Sequence, residues 1–545
     1  MGLSSMDGEN MKRHRLSILI VSLSLAGFGA AAVVVPDLFI TSDRCLACHN
    51  GLVTPRGEDV SIGADWRASM MANSARDPYW QASIRRETLA HPKVAAAIEH
   101  ECSACHMPMM RYQAKTEGGM GRVFAHLPVV PAQGAEQALA VDGVSCTMCH
   151  QIGREKLGTR ESFVAGFAVD VSTSAGGRKV FGPYDVDEGR QQAMRSSSGF
   201  HPEKGEHIHE SELCATCHTL YTHAFDEKGE VVGELPEQVP YLEWKHGSYA
   251  GKRSCQSCHM PAVAGEMPIS STLGKPREEF SRHVFRGGNF FIPRILNRHR
   301  DALGVIAEPL ELATVSARTA SHLETSSAEL TIGELRIEDG VLRAEVAVKN
   351  LAGHKLPTAY PSRRAWVHLA VLDRNGAAFF ESGRMNPDGS ITGNDNDADP
   401  ARFEPHHAEI RDAGQVQVYE SILGAPGDKA TTVLLAATHY LKDNRILPLG
   451  FDKAAADKDI SVKGAAAADP DFIGGSDRIR YAVKVGGAAG PFTVRAELWY
   501  QPISYRWARN VDDLPSAEAG RFAIYFKEVS AGSGLMLARA EARTK

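Results

Sequence analysis

The 545-residue chain contains ten cysteines, and all ten fall in five Cys-x-x-Cys-His segments. These are Cys45-Leu-Ala-Cys48-His49, Cys102-Ser-Ala-Cys105-His106, Cys146-Thr-Met-Cys149-His150, Cys214-Ala-Thr-Cys217-His218 and Cys255-Gln-Ser-Cys258-His259. Two thiols at this spacing, followed at once by an imidazole, form the attachment signal for c-type haem. The thiols add across the haem vinyl groups and the histidine ligates iron from the proximal side. One bare Cys-x-x-Cys would equally suit a redox dithiol or half a zinc site. Five copies, each with histidine in the same place and no cysteine left over, argue against both. The sequence predicts five covalent haems with His49, His106, His150, His218 and His259 as proximal ligands.

Each iron then needs a sixth ligand or keeps an open face, which separates electron transfer from catalysis. The chain has 22 histidines. Outside the motifs, His91, His100, His126, His201, His207, His209, His223, His246, His283 and His299 lie in or just beyond the motif region. A thioether is the other option and would raise the potential of its centre. Met71, with Met70 beside it, follows the first motif in Trp66-Arg-Ala-Ser69-Met-Met71, a pattern echoed by Trp244-Lys-His-Gly247-Ser-Tyr249 before the fifth. Met71 either ligates or packs against porphyrin; at Tyr249 packing is the expectation. His283 precedes Gly287 and Gly288, which would permit close backbone approach to a cofactor. His354, between Gly353 and Pro357, suits a loop that leaves a strand and reaches a neighbouring domain. The candidate distal ligands are Met71, His91, His126, His207, His283 and His354, with His201 and His209 as rivals to His207. That is six candidates for five positions.

The Cys-x-x-Cys-His spacing followed by Trp66-x-x-Ser69-x-Met71 resembles the cytochrome c554-type multihaem family. In that family the last position is usually a haem-associated histidine; this chain departs from it with Met71. Two further segments, Ser281-Arg-His283-Val-Phe-Arg-Gly287-Gly288-Asn289 and Asn350-Leu-Ala-Gly353-His354-Lys-Leu-Pro357-Thr358, look like those of multihaem cytochromes with a C-terminal β domain. The resemblance implies distal ligation by His283 and His354, and it spans about residues 41–510.

Around the motifs the chain reads as short helices and loops, such as 95–100 running into the second motif, broken by glycine and proline clusters. After about residue 305 alternating strand-like runs take over: 330–337, 342–348, 365–372, 432–437, 478–485 and 492–500, with a helix at 516–529. The expected class is α+β multidomain: a mainly helical, loop-rich multihaem c-type domain, then an all-β, sandwich-like domain. The expected divisions are 1–40 as signal or membrane anchor, 41–304 as the pentahaem domain, 305–515 as the antiparallel sandwich and 516–545 as a helical tail. At the N-terminus Lys12, Arg13, His14 and Arg15 precede an apolar run from Leu16 to Val35. Its length favours an uncleaved anchor over a cleaved export signal. Either option puts the bulk of the chain outside the cytoplasmic membrane, in the periplasm or on its membrane face.

Two other groups invite weighing. Asn394-Asp395-Asn396-Asp397-Ala398-Asp399 alternates oxygen side chains as a calcium loop does, against a plain Asx-rich turn. His406-His407 reads as a surface pair, since neighbours on a strand point apart. A net charge of −6 gives no reason to expect nucleic acid. The expected partners are redox proteins and, through the N-terminal run, the cytoplasmic membrane. The leading expectation is electron carriage through five haems. The alternative is an oxidoreductase in which one open haem acts on a small nitrogen or sulfur compound, with Arg67, Lys252 or Arg253 attracting anions.

Overall fold

The computed structural model describes residues 37–129, 134–174 and 176–545. In the motif region the chain forms short helices joined by irregular segments. The second motif ends the Ala95–His106 helix, while Cys146–His150 and Cys255–His259 are single helical turns. A helical turn brings positions i, i+3 and i+4 to one face, so both thiols and the imidazole emerge together. Cis peptide bonds precede Pro128, Pro357 and Pro491.

Helices concentrate in the N-terminal half and strands in the C-terminal half, a mixed α+β layout. One seven-stranded sheet runs Lys429–Thr431, Val418–Ala425, Arg364–Leu372, Thr493–Gln501, Leu535–Arg543, with Ala378–Ser382 and His439–Asp443 paired beside it. A five-stranded sheet runs Glu409–Ile410, Ser476–Lys484, Val341–Asn350, Ala328–Ile332, with Arg336–Glu338 against the third. Alternate side chains such as Leu342, Val346 and Val348 from one sheet and Val367, Leu369 and Val371 from the other enter a single apolar core. That core continues into the motif region through Ile98, Met107, Met110 and Met148.

Three features differ from the sequence expectation. The 432–437 run is a 3-10 turn, Leu434–Ala436, because the Glu87 carboxylate accepts the Leu434 and Leu435 amides at 2.8 and 3.0 Å. A side chain thus replaces a neighbouring strand as acceptor. The helix at the C-terminus, Ala517–Val529, is capped by Ser516, but the chain then returns as the Leu535–Arg543 strand. An 18-residue helix, Pro309–Ser326, precedes the first strand of the β region, started by a reciprocal Glu308–Glu311 capping box.

The expected membrane partnership is corrected: among the described residues no helix is long and apolar enough to cross a membrane. The 16–35 run on which that expectation rested lies outside the described residues.

Candidate functional site

Every cysteine and histidine of the first four motifs lines one internal cavity of about 830 Å³, which reaches the fifth motif at Gln256 and extends to Met260 just after it. The motifs meet through their sulfurs. The Cys45 thiol is in hydrogen-bond reach of Cys146, Cys105 of Cys217, and Cys214 of Cys255. Cys149 stands near Cys217. In space the motifs therefore run first, third, fourth, with the second and fifth both attached at the fourth.

Four of the five motif imidazoles share one orientation. Nδ1 of His49 donates to the Ile269 carbonyl (2.6 Å), that of His106 to Ser74 (3.0 Å), that of His150 to Phe181 (2.6 Å) and that of His259 to Arg286 (2.5 Å). A backbone carbonyl can only accept, so the proton sits on Nδ1 and the lone pair on Nε2 is left for a metal. This is the outer support that metal-binding histidines characteristically have. Burial pushes His106 and His259 down to about 4 and lowers His150 and His218, keeping the rings in the neutral, ligating form.

Two candidate distal histidines stand against motif histidines. The His283 ring lies 6.4 Å from His150 at 22°, and His354 lies 6.3 Å from His259 at 16°. With metal–imidazole bonds of about 2 Å, the length zinc sites show, two rings on opposite sides of one metal have centroids about 6 Å apart. Both rings use Nδ1 as the motif histidines do: His283 donates to the Ser281 carbonyl (3.1 Å) and His354 to Lys355 (2.9 Å). Burial holds His283 at about 3 and also lowers His354.

Their loops are fixed by buried charge. Arg282 grips Asp65 through two 2.8 Å bonds, tying the His283 loop to the Ile62–Arg67 helix. Gly353 lets the loop pack tightly beside His354, since a Cβ there would come to 3.0 Å from Tyr249 and 3.3 Å from Trp244. Tyr249 thus packs under the loop. The tryptophans of the repeated pattern anchor to backbone, Trp66 to the Val144 carbonyl and Trp244 to Arg253, both at 2.9 Å.

The other candidates are placed differently. Met70 and Met71 line the cavity, as does His209. His207 commits Nε2 to the Ile152 carbonyl (2.9 Å), and its Nδ1 lies over Gly205, where a Cβ would meet it at 3.0 Å. His91 is buried with neither ring nitrogen bonded and packs near Phe225, outside the cavity lining. His126 bonds Gln137 at 2.7 Å and pairs with Glu136. His100 accepts from the Gly121 amide, His223 pairs with Glu101, His246 bonds the Leu242 carbonyl and His299 stacks on Tyr525. Sequence reasoning missed His322, whose ring is 6.4 Å from His259 at 74°. It lies in the Pro309–Ser326 helix, inside a segment that read as part of the β region, and no local motif marks it.

In the acidic loop Asp397 is held by buried Arg364 and Asp395 by Arg402, Asn394 Oδ1 accepts the Asn396 amide, and Asn396 Nδ2 donates to the Arg402 carbonyl, as in an Asx-rich turn. His406 is no surface residue. It is buried with Asp469 at 3.1 Å and Asp477 at 3.8 Å. Gln417 and Asn444 donate to its Nδ1, which puts the proton on Nε2, facing Asp469. That arrangement is a hydrogen-bonded core pair, with the imidazole turned against metal binding.

Paired thiols, neutral imidazoles with free Nε2 and a largely apolar chamber are the donor set that covalent haem requires, so the residues fit that group. No protein-family model matches the chain, and no curated protein is significantly similar to it. In fold the chain is similar to a penta-haem cytochrome c552 from Thermochromatium tepidum, with a TM-score of 0.50 and 15% identity over 93% of this chain and 100% of that one.

Proposed function

We propose that this chain is an electron-transfer protein carrying five covalent c-type haems outside the cytoplasmic membrane, exchanging electrons with redox partner proteins. Bound haem supplies a one-electron iron couple whose potential follows axial ligation, burial and hydrogen bonding. The observation that carries the proposal is the common orientation of His49, His106, His150 and His259, each with Nδ1 on a carbonyl and Nε2 free. The protein's own residues do the rest. The thiol pairs fix each group in place, and contacts between motifs hold neighbouring groups close. Opposed pairs His150–His283 and His259–His354 would close both axial positions, leaving no room for substrate there. We assign the haem-bearing role to 41–304 and the role of supplying His354 to the β region.

One observation favours a second reading, an oxidoreductase with one open iron. Among the described residues no second imidazole stands opposite His49, His106 or His218, and Trp80 stacks on the face of the His106 ring itself at 4.2 Å and 3°. The cavity near Cys102 is lined by Glu87 and Glu237, which burial pushes up to about 7 and about 8. Such groups can deliver protons at neutral pH. EPR of the oxidised holoprotein tests both readings. Only low-spin signals are expected for the carrier. A high-spin signal that shifts with nitrite, hydroxylamine or cyanide would contradict the pure carrier and favour the second reading.

A further inference from the structure

Four fully buried charges surround the His354 loop, and they come from both halves of the chain. Glu243 belongs to the Pro240–Lys245 helix, just before the fifth motif. Lys355 follows His354, Asp443 ends the His439–Asp443 strand, and Arg445 lies two residues beyond it. Glu243 and Lys355 have no exposure at all, and Asp443 and Arg445 have 2% and 5%. Arg445 pairs with Glu243 at 2.9 Å and with Asp443 at 2.8 Å, and Lys355 Nζ reaches Asp443 at 2.7 Å. Two cations and two anions leave the group neutral.

The quartet grips the backbone that orients the ring. The peptide joining His354 to Lys355 is held at both ends. Its carbonyl accepts from Asn350 Nδ2 (2.8 Å) and its N–H donates to Glu243 (3.1 Å). The next carbonyl, that of Lys355, is the acceptor for His354 Nδ1. Thr358 donates its hydroxyl to the same Glu243 carboxylate. Apart from Asn350, the groups that fix the imidazole direction belong to Lys355 or are held by Glu243.

We infer that Glu243, Lys355, Asp443 and Arg445 are positioning residues that aim His354 at the iron held by His259 and set the potential of that centre. This rests on the reading of His354 as its distal ligand. Outer partners of metal-bound histidines tune a site in this way, by orientation and by local charge. The sign follows from electrostatics: removing a nearby negative charge disfavours the oxidised iron, and removing a positive one favours it.

The test is optical redox titration with EPR on the holoprotein. Glu243→Gln should move one midpoint upward, Lys355→Met should move the same midpoint downward, and the double variant should return it toward the native value. Four midpoints should stay fixed. Shifts of both single variants in one direction, or no shift in either, would overturn the inference. Should the charge variants fail to accumulate with haem, Thr358→Val removes one hydrogen bond and no charge. It should alter the low-spin EPR signal of the same centre, and an unchanged signal counts against the inference. His354→Ala separates the two claims. If it leaves all signals unchanged, the ligand assignment fails. If it converts one centre to high spin while Glu243→Gln and Lys355→Met do nothing, only the positioning role fails.

Discussion

At the residue scale, the buried carboxylate Glu87 ties protonation to folding. It accepts two backbone amides, yet burial outweighs them and raises its pKa from 4.5 to about 7. A carboxyl that holds its proton more tightly when folded stabilises the fold fully below the unfolded pKa and loses that contribution as pH rises through the folded value. Stability from Glu87 should therefore decline between about pH 4.5 and 7. Glu87→Gln keeps an acceptor for the amides and cannot ionise. Its melting temperature should fall less than the native protein's between pH 5 and 8, and equal falls would contradict the assignment. Neither Glu87 nor Glu243 was legible in the sequence. Their partners lie 347 and 112 positions away, and nothing local marks them. The motif residues were legible because five adjacent positions carry the whole chemical requirement. The sequence singled out His283, which the fold sets 6.4 Å from His150, but gave no sign of His322, whose place beside His259 depends on where a long helix docks.

At the element scale, Asp77 starts the Pro78–Ala90 helix, accepting from the amides of Tyr79 (2.9 Å) and Trp80 (3.3 Å). That helix presents Tyr79, Trp80 and Glu87 to the cavity, so its start sets the wall beside His106. Removing such a cap costs about 0.5–2 kcal/mol. Asp77→Ala should lower the denaturation midpoint accordingly in a urea titration followed by circular dichroism, and an unchanged midpoint would show that the cap carries no net stability. Strands with alternating burial, such as Val341–Asn350 and Thr493–Gln501, were readable from their period-two pattern. Val418–Ala425 was not, because it is buried almost throughout and shows no alternation. The 432–437 run has a strand's composition, but an acceptor from a distant helix decides its conformation.

At the scale of the whole molecule, the helical and β regions share one apolar core and are joined by buried polar contacts. Glu87 reaches Leu434 and Leu435, and Glu243 reaches Lys355 and Arg445. A chain ending at residue 304 exposes the apolar surface that the two regions share and lacks His354. Exposed apolar surface costs about 25 cal/mol per Å², against a domain stability of only about 5–15 kcal/mol. The truncated chain should not accumulate as a five-haem protein; a stable 37–304 fragment with the full protein's absorption spectrum would contradict this. The two-part layout could be anticipated from the change in composition near residue 305, but the dependence of each part on the other could not, since it rests on contacts between distant positions.

The central claim is that all ten thiols are committed to five haems. Intact mass spectrometry of the denatured holoprotein, combined with iodoacetamide treatment, tests it most directly. The expected result is a polypeptide carrying the mass of five haems with no alkylated cysteine. Fewer than five haems, or thiols that alkylate without reduction, would contradict it.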